Sequence, residues 1–342
     1  MAWHDLSIES EALRGNPLGD PATRPLFVWT PPAYDRDAAR RFRSVYVLQG
    51  LTGQVRAWFN VSPFTKGFPE LLEDARVDAV VVLVDAFTAL GGSQFVDSAA
   101  IGGYGTYLCD EIVPFVDERF RTLAEPAHRG IAGKSSGGFG AMVWGLLRPD
   151  LFGGFATHAG DALFDVSLAH DFAPAAQALR NDYDGSYDRF WADFRSGRPP
   201  FEKKNDAVLL AVYAAAAAYS PREDGSVELP FRIDTGELVT ETWERWLAWT
   251  RFGSRRRTRT PSEPPAGSGS TPAGTTSTSS TSARRRSATR CWPRVRATRT
   301  SGSSSSTART GTRRGATRSA WPSWSSDSLN AQLTGARRPR RR

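Results

Sequence analysis

The sequence predicts an α/β fold with a mostly parallel central sheet and helices on both faces. Three observations carry that prediction. Asp78-Ala-Val-Val-Val-Leu-Val-Asp85 is a continuous apolar run closed by acids, the pattern of a strand covered on both faces, as in a parallel sheet. Arg129-Gly-Ile-Ala132 is a short apolar segment leading through a glycine-flanked turn into Phe139-Gly-Ala-Met-Val-Trp-Gly-Leu-Leu147, a helical pattern that stops before Pro149. Strand-like and helix-like segments continue on either side of these two, over residues 1–249.

Taken in order, Asp5 to Leu13 alternates apolar and polar residues, as a half-buried strand does. Gly15 to Pro25 is turn-rich. Leu26–Thr30 is a second strand closed by Pro31-Pro32, and Arg43–Leu48 a third, running into Gln49-Gly-Leu-Thr-Gly53. Phe68–Arg76 fits a short helix. The loop Ala86–Tyr104, with Gly91-Gly-Ser-Gln-Phe95, is long and follows a strand, where site-lining loops of α/β proteins lie. Tyr107–Phe120 is an amphipathic helix whose Cys109 belongs to the core. Gly154–Gly160 is the end of a later strand. Beyond it, Asp171–Phe194 and Asp206–Tyr219 predict helices, and Trp243–Trp249 closes the pattern. Their aromatics (Phe172, Tyr183, Tyr187, Phe190, Trp191, Tyr213, Tyr219) suggest a helical insertion over residues 162–249, above a pocket mouth.

The chain of 342 residues carries a net charge of +8, but the charge is divided unevenly. Residues 251–342 hold 21 Arg, no Lys and two acids, a balance of +19, which leaves −11 for residues 1–250. Thirty-four of those last 92 residues are Ser or Thr, a composition that cannot build a core and predicts a disordered tail. No stretch is apolar and long enough to span a membrane. The N-terminus lacks the basic and apolar regions of a secretory signal. Cys109 and Cys291 are the only cysteines, which implies neither a disulfide framework nor a metal knuckle and makes a reducing cytoplasm the expected compartment.

The chemistry concentrates at Gly133-Lys-Ser-Ser-Gly137, a G-x-S-x-G turn. In isolation it fits a Gly/Ser-rich surface loop. Between a strand and a helix it has a sharper meaning: a serine held on a tight, strained turn, with glycine two residues before and after because a side chain there would clash. The helix that follows directs N–H groups and a partial positive charge at the site. Ser135 is thus the candidate nucleophile. The glycine loop after the third strand supplies a second oxyanion donor, the Leu51 N–H, alongside that of Ser136. Gln49, Gly50, Lys134, Ser93, His158 and Asp161 are candidate pocket residues. His158 fits equally well a histidine hydrogen-bonded near the sheet edge. No metal or organic cofactor is implied.

Val45–Gly53, Gly91–Phe95, Tyr107–Phe120, Ala132–Ala141, Arg148–Gly154 and Thr157–Asp161 together resemble the putative-esterase group of α/β-hydrolases, which takes in esterase D, enterochelin esterases and mycolyltransferases. The resemblance runs from about residue 5 to 249. It implies ester hydrolysis or acyl transfer through Ser135, a small-molecule ester substrate, an acid after a later strand and a histidine near the C-terminus. The sequence departs from that pattern, since the only histidines after Ser135 are His158 and His170, both early for that order. A serine without its base is a weak nucleophile. The same fold without turnover would be a ligand-binding protein.

Residues 250–342 read as a coding segment translated in the wrong frame. Let each codon be the third base of one residue plus the first two of the next. Ser (TCN) then gives Phe, Leu, Ile or Val, and Thr (ACN) gives Asp, Asn, His or Tyr. Thr250–Gly253 can read D-P-V-R. Ser270–Ala283 can read V-D-A-G-G-D-D-E-Y-V-L-D-L-G, a strand and an acidic loop. Ser303–Gly311 can read F-E-L-F-D-G-T-H-G, a strand and a histidine loop, with a closing helix after it. The acid codon straddles Thr275 and Thr276, the histidine codon Arg309 and Thr310. Taken at face value instead, the tail is an Arg-rich arm suited to nucleic acid or acidic partners. Sequencing the gene across codons 245–255 is expected to find one base missing relative to the source genome. An intact frame with a stable 37.4 kDa product would overturn that reading.

Overall fold

The computed structural model describes residues 2–60 and 62–250. The basic tail after Thr250 lies outside the described residues, and so do the acid and histidine loops of the displaced frame. The strands are β1 (Ala2–Glu9), β2 (Thr23–Thr30), β3 (Arg43–Leu48), β4 (Ala79–Val84), β5 (Asp97–Ser98), β6 (Gly102–Gly103), β7 (Arg129–Lys134) and β8 (Gly154–His158). The α-helices are α1 (Pro32–Arg36), α2 (Phe68–Asp74), α3 (Tyr104–Thr106), α4 (Val113–Arg119), α5 (Ser136–Leu147), α6 (Phe164–Ser167), α7 (Phe172–Tyr183), α8 (Tyr187–Phe194), α9 (Asp206–Tyr219) and α10 (Thr240–Leu247). Six strands form one sheet in the order β1-β2-β4-β3-β7-β8. β1 and β2 are antiparallel to each other, and β2 is antiparallel to β4. From β4 through β3 and β7 to β8 every pairing is parallel.

Alternate residues of the central strands feed two apolar layers. Val28, Tyr46, Leu48, Val80, Val82 and Ile131 join the larger core with the α3–α4 and α5 helices, through Leu108, Ile112, Val116, Phe139 and Val143. Phe27, Trp29, Val81 and Leu83 face the opposite side, against Phe68 and Leu72 of α2. β4 is buried at all six positions, which accounts for its uninterrupted apolar sequence.

β2 begins at Thr23, three residues earlier than its sequence reading, and the last helix at Thr240 rather than Trp243; three further differences have a local reason. β1 ends at Glu9 rather than Leu13, because Glu111 captures the next turn: its carboxylate accepts from Ser10 Oγ at 2.5 Å and from the Ala12 N–H at 2.8 Å. The helix expected over 107–120 begins at Tyr104 and runs through a π-helical segment, Tyr107–Ile112, before α4. Pro114 lacks an N–H, and its ring would crowd the carbonyl one turn back, so the wider turn falls just ahead of it. The helix expected over 171–194 is broken at Asp184 (φ 48°) and Gly185 (φ 74°). The Gly185 N–H closes α7 on Leu179 O at 2.8 Å, and Ser186 caps α8 by accepting from the Arg189 N–H.

The helical segment after β8 shares the larger core with the sheet. A chain of rings runs from Phe139 of α5 to Phe164 (5.5 Å), Tyr219 (5.0 Å) and Trp246 (5.4 Å). Phe172, Tyr183, Tyr187, Phe190 and Trp191 are likewise buried. Cys109 lies in the same core, where burial pushes its thiol up to about 12, so it stays a neutral thiol at physiological pH. Among the described residues no helix is long and apolar enough to cross a membrane. Trp246 is fully buried and donates from Nε1 to Ser220 Oγ at 2.8 Å. Trp246→Ala is expected to cost about 3–5 kcal/mol and to lower the melting of sheet and helical segment together in one calorimetric transition. Two separate transitions would show that the cores are independent.

Candidate active site

β7 delivers the chain to Ser135, whose backbone sits at φ 54°, ψ −122°. A residue with a Cβ enters this region only when held there, at a cost of about 1–3 kcal/mol. Two hydrogen bonds hold it. The Ser135 N–H donates to His158 O at 2.8 Å, tying the turn to β8, and the Phe139 N–H donates to Ser135 O at 2.9 Å. The flanking glycines are explained by close approach. A Cβ on Gly133 would strike the Gly137 carbonyl, and one on Gly137 would overlap Leu48 and come within 2.5 Å of Gln49 O. Gly160 makes a similar crossing, with its Cβ position 2.6 Å from Gly138 C and 2.7 Å from Phe139 N. The N-terminus of α5 is therefore pressed against the ends of both β3 and β8.

The loop after β3 lies beside the serine. A Cβ on Gly50 would be 3.5 Å from Ser135 Cβ. Thr52 has φ 64° and donates its N–H to Gly91 O at 2.8 Å, and the Gly53 N–H closes a turn on Gly50 O at 3.0 Å. Leu51 and Ser136, the two predicted oxyanion donors, have N–H groups with no acceptor among the described residues. Gly92 packs against Leu51, its Cβ position 3.1 Å from Leu51 Cδ1. Gln49 is buried; its amide donates to Val84 O and accepts from the Ala86 N–H at 2.9 Å, which ties the end of β3 to that of β4. Ser93 is also buried and accepts from the Phe95 N–H at 3.1 Å. Both side chains thus act on loop shape.

Beneath this loop lies a buried pair absent from the sequence reading. Arg24 of β2 and Asp85, just past β4, form an ion pair with both side chains 6% exposed. Arg24 also donates to Phe87 O at 2.5 Å, and Asp85 accepts from the Val55 N–H at 3.3 Å. Burial pushes the Asp85 carboxyl above its ordinary range, with Arg24 beside it opposing the shift. The sequence signal is slight, since Arg24 falls in the stretch read as turn and only Asp85 closes an apolar run; their partnership depends on the antiparallel β2–β4 pairing, which sequence spacing does not specify.

His158 pairs in register with Lys134 across β7 and β8, one residue ahead of the serine. Asp161 is half-buried; burial raises its carboxyl, and the Ser167 hydroxyl opposes the shift. The hydroxyl of Tyr219, fully buried nearby, is raised well above its usual value by burial and then by the Asp161 charge. His170 is exposed beside Asp171 at 3.3 Å, and His4 sits against Thr30. Among the described residues no group of three or more His, Cys, Asp or Glu could hold a metal ion.

A family model described as putative esterase matches residues 21–220. Among solved structures, the chain is similar to a ferulic acid esterase at 19% identity and TM-score 0.40, covering 47% of this chain and 60% of that one. It is similar to the S-formylglutathione hydrolase of Agrobacterium tumefaciens at 19% identity and TM-score 0.37, over 47% and 58% of the two chains. A third likeness is to the ferric enterobactin esterase of Salmonella typhimurium, at 19% identity and TM-score 0.36, over 52% and 42%. The chain thus spans less than two thirds of each of these structures.

Gly137→Ala is expected to destabilise the fold by about 3 kcal/mol, because the added methyl meets backbone that cannot yield. Gly154→Ala, with open space at its Cβ, is the control and is expected to leave the melting temperature nearly unchanged. Equal melting temperatures for the two variants would contradict the close crossing at the elbow.

Proposed function

Because the chain belongs to the putative esterase family, we propose that it is a serine hydrolase of small-molecule carboxylic esters acting through an acyl-enzyme. The observation that carries this is Ser135 at φ 54° on the strand-to-helix turn, with the loop after β3 so close that a Cβ on Gly50 would lie 3.5 Å from its Cβ. Ser135 Oγ attacks the acyl carbonyl. The N–H groups of Leu51 and Ser136 receive the charge that develops on the carbonyl oxygen, at the positive end of α5. The alcohol leaves, and water releases the acid from the serine. Gly50, Lys134, Gln49 and Ser93 shape the near wall, His158 and Asp161 the far one, and the helices after β8 border the mouth. No cofactor enters these steps.

The base is the weak point of the chain as written. His158 is the imidazole nearest Ser135 in the sheet register, while the histidine encoded across Arg309 and Thr310 belongs to the displaced frame. Loss of the base from such a triad lowers turnover by several orders of magnitude. Residual acylation of Ser135 with little hydrolysis is the expected behaviour of this product. With a buried free Cys109 and no cysteine framework, the cytoplasm suits it.

A fluorophosphonate probe tests the reading, since it reacts only with an activated serine. Labelling of the full chain is expected to be slow, to map to Ser135 by mass spectrometry, and to vanish in Ser135→Ala. Rapid ester hydrolysis lost in both Ser135→Ala and His158→Ala would make His158 the base. A folded chain with no labelling at any concentration would favour a ligand-binding protein of the same fold.

A further inference from the structure

One carboxylate beside the elbow lacks a counter-ion. β8 ends at His158, whose carbonyl accepts from the Ser135 N–H at 2.8 Å. Ala159 then takes φ 50°. Gly160 passes so close to α5 that its Cβ position lies 2.7 Å from Phe139 N, and the Phe139 N–H in turn donates to Ser135 O at 2.9 Å. Asp161 follows directly. Its Cα is at most about 10 Å from that of His158, three residues back. The fold therefore sets this carboxylate beside the first turn of the helix that follows the serine. It is half-buried, and burial raises it. Among the described residues only the Ser167 hydroxyl is near enough to oppose that rise; no lysine or arginine does so. The sequence agrees, since no Lys or Arg falls between Arg148 and Arg180, while Asp150, Asp161, Asp165 and Asp171 do. Other acids taken out of water are treated differently: Asp85 is paired with Arg24, and Asp206 with Arg198 at 2.6 Å. A charge withdrawn from water without a counter-ion is costly, and such groups concentrate where function uses them.

Two hydroxyls adjoin this carboxylate. Ser167 Oγ is buried and has no hydrogen-bond partner. The Tyr219 hydroxyl lies within reach of the Asp161 charge and stays protonated. The Tyr219 ring packs 5.0 Å from Phe164, the first residue of α6, and Ser167 is the last. Acceptor oxygens from the segment after β8, from α6 and from α9 thus gather next to the serine turn, with no cation among them. Resting on the esterase reading, we propose that Asp161, with the hydroxyls of Ser167 and Tyr219, is the subsite for a protonated amine of the substrate. The preferred substrates are then carboxylic esters that carry a primary ammonium group a few bonds from the reacting carbonyl. An ammonium brings three N–H donors. It also supplies the missing positive charge through charge-assisted hydrogen bonds, which a neutral alkyl or hydroxyl group does not. The same surroundings reject a substrate carboxylate, because like charges at close range cost affinity.

The test measures how fast Ser135 of the full chain is modified by two phosphonofluoridates of equal size, one bearing an aminobutyl group and the other a pentyl group. The amine is charged at neutral pH, as a lysine is. The aminobutyl probe is expected to react at least about tenfold faster, the scale of one hydrogen bond to a charged group. Asp161→Asn is expected to bring the ratio of the two rates close to one. Asp165→Asn, at an exposed acid of the same segment, is expected to keep the ratio, which separates a subsite from a diffuse negative field. A second measurement does not need a reactive serine: butylammonium is expected to raise the melting temperature of the Ser135→Ala chain more than 1-butanol does, and to lose that advantage when Asp161→Asn is added. Equal rates for the two probes would overturn the proposal, as would a preference that survives Asp161→Asn or one that Asp165→Asn removes equally. If neither probe labels the chain, the esterase reading fails by itself, and the butylammonium comparison decides the subsite: equal melting temperatures with butylammonium and 1-butanol would overturn it.

Discussion

The structure depends on a crossing that tolerates no side chains. Between β7 and α5 the chain reverses so tightly that Gly133 meets the Gly137 carbonyl, while Gly137 meets the end of β3 and Gly138 approaches Gly160 beyond β8. Each contact is backbone on backbone, and no rotamer change relieves it. The crossing sets the strained conformation of Ser135, directs the first N–H groups of α5 upward, and brings the loop after β3 within reach of the serine. Without side chains at these glycines, strand and helix meet closely enough to hold Ser135 in that conformation.

The second support is electrostatic and lies one layer lower. Arg24 and Asp85 are both buried, and such a pair is worth little as net stability because desolvation offsets attraction. Its value is positional. Asp85 holds the Val55 N–H, Arg24 holds Phe87 O, and Gln49 ties Val84 to Ala86. The loop carrying Leu51 is thereby fixed at both ends by groups too costly to leave unpaired. For the Leu51 N–H, proposed as an oxyanion donor, such a foundation matters because donors of that kind act without reorganising.

Much of this was legible in the sequence. β3 matched its reading residue for residue, since the apolar run between Phe42 and Gly50 has only one continuous solution, and α9 did so because its alanine-rich stretch ends at Ser220 and Pro221. The elbow was legible because G-x-S-x-G between a strand and a helix has a steric meaning that needs no tertiary partner. The misread boundaries are those set by distant groups: Glu111 ending β1 at Ser10, and an αL residue at Asp184 splitting one helical pattern into two. The aromatics of residues 162–249 were read as lying above a pocket mouth; Phe164 and Tyr219 pack on Phe139, and Trp246 packs on both of them, within the larger core.

By itself the sequence determined the fold class, the strand–elbow–helix unit, the serine and the break in character at residue 250, because local spacing, steric demand and composition are written in neighbouring residues. The tertiary structure alone decided which backbone groups meet that serine. The pairing of His158 O with the Ser135 N–H, the approach of Gly50 to its Cβ and the Arg24–Asp85 pair beneath the loop all join residues tens of positions apart. Their proximity follows from the sheet order β1-β2-β4-β3-β7-β8, which the packing of whole elements selects and which no single stretch of the chain encodes.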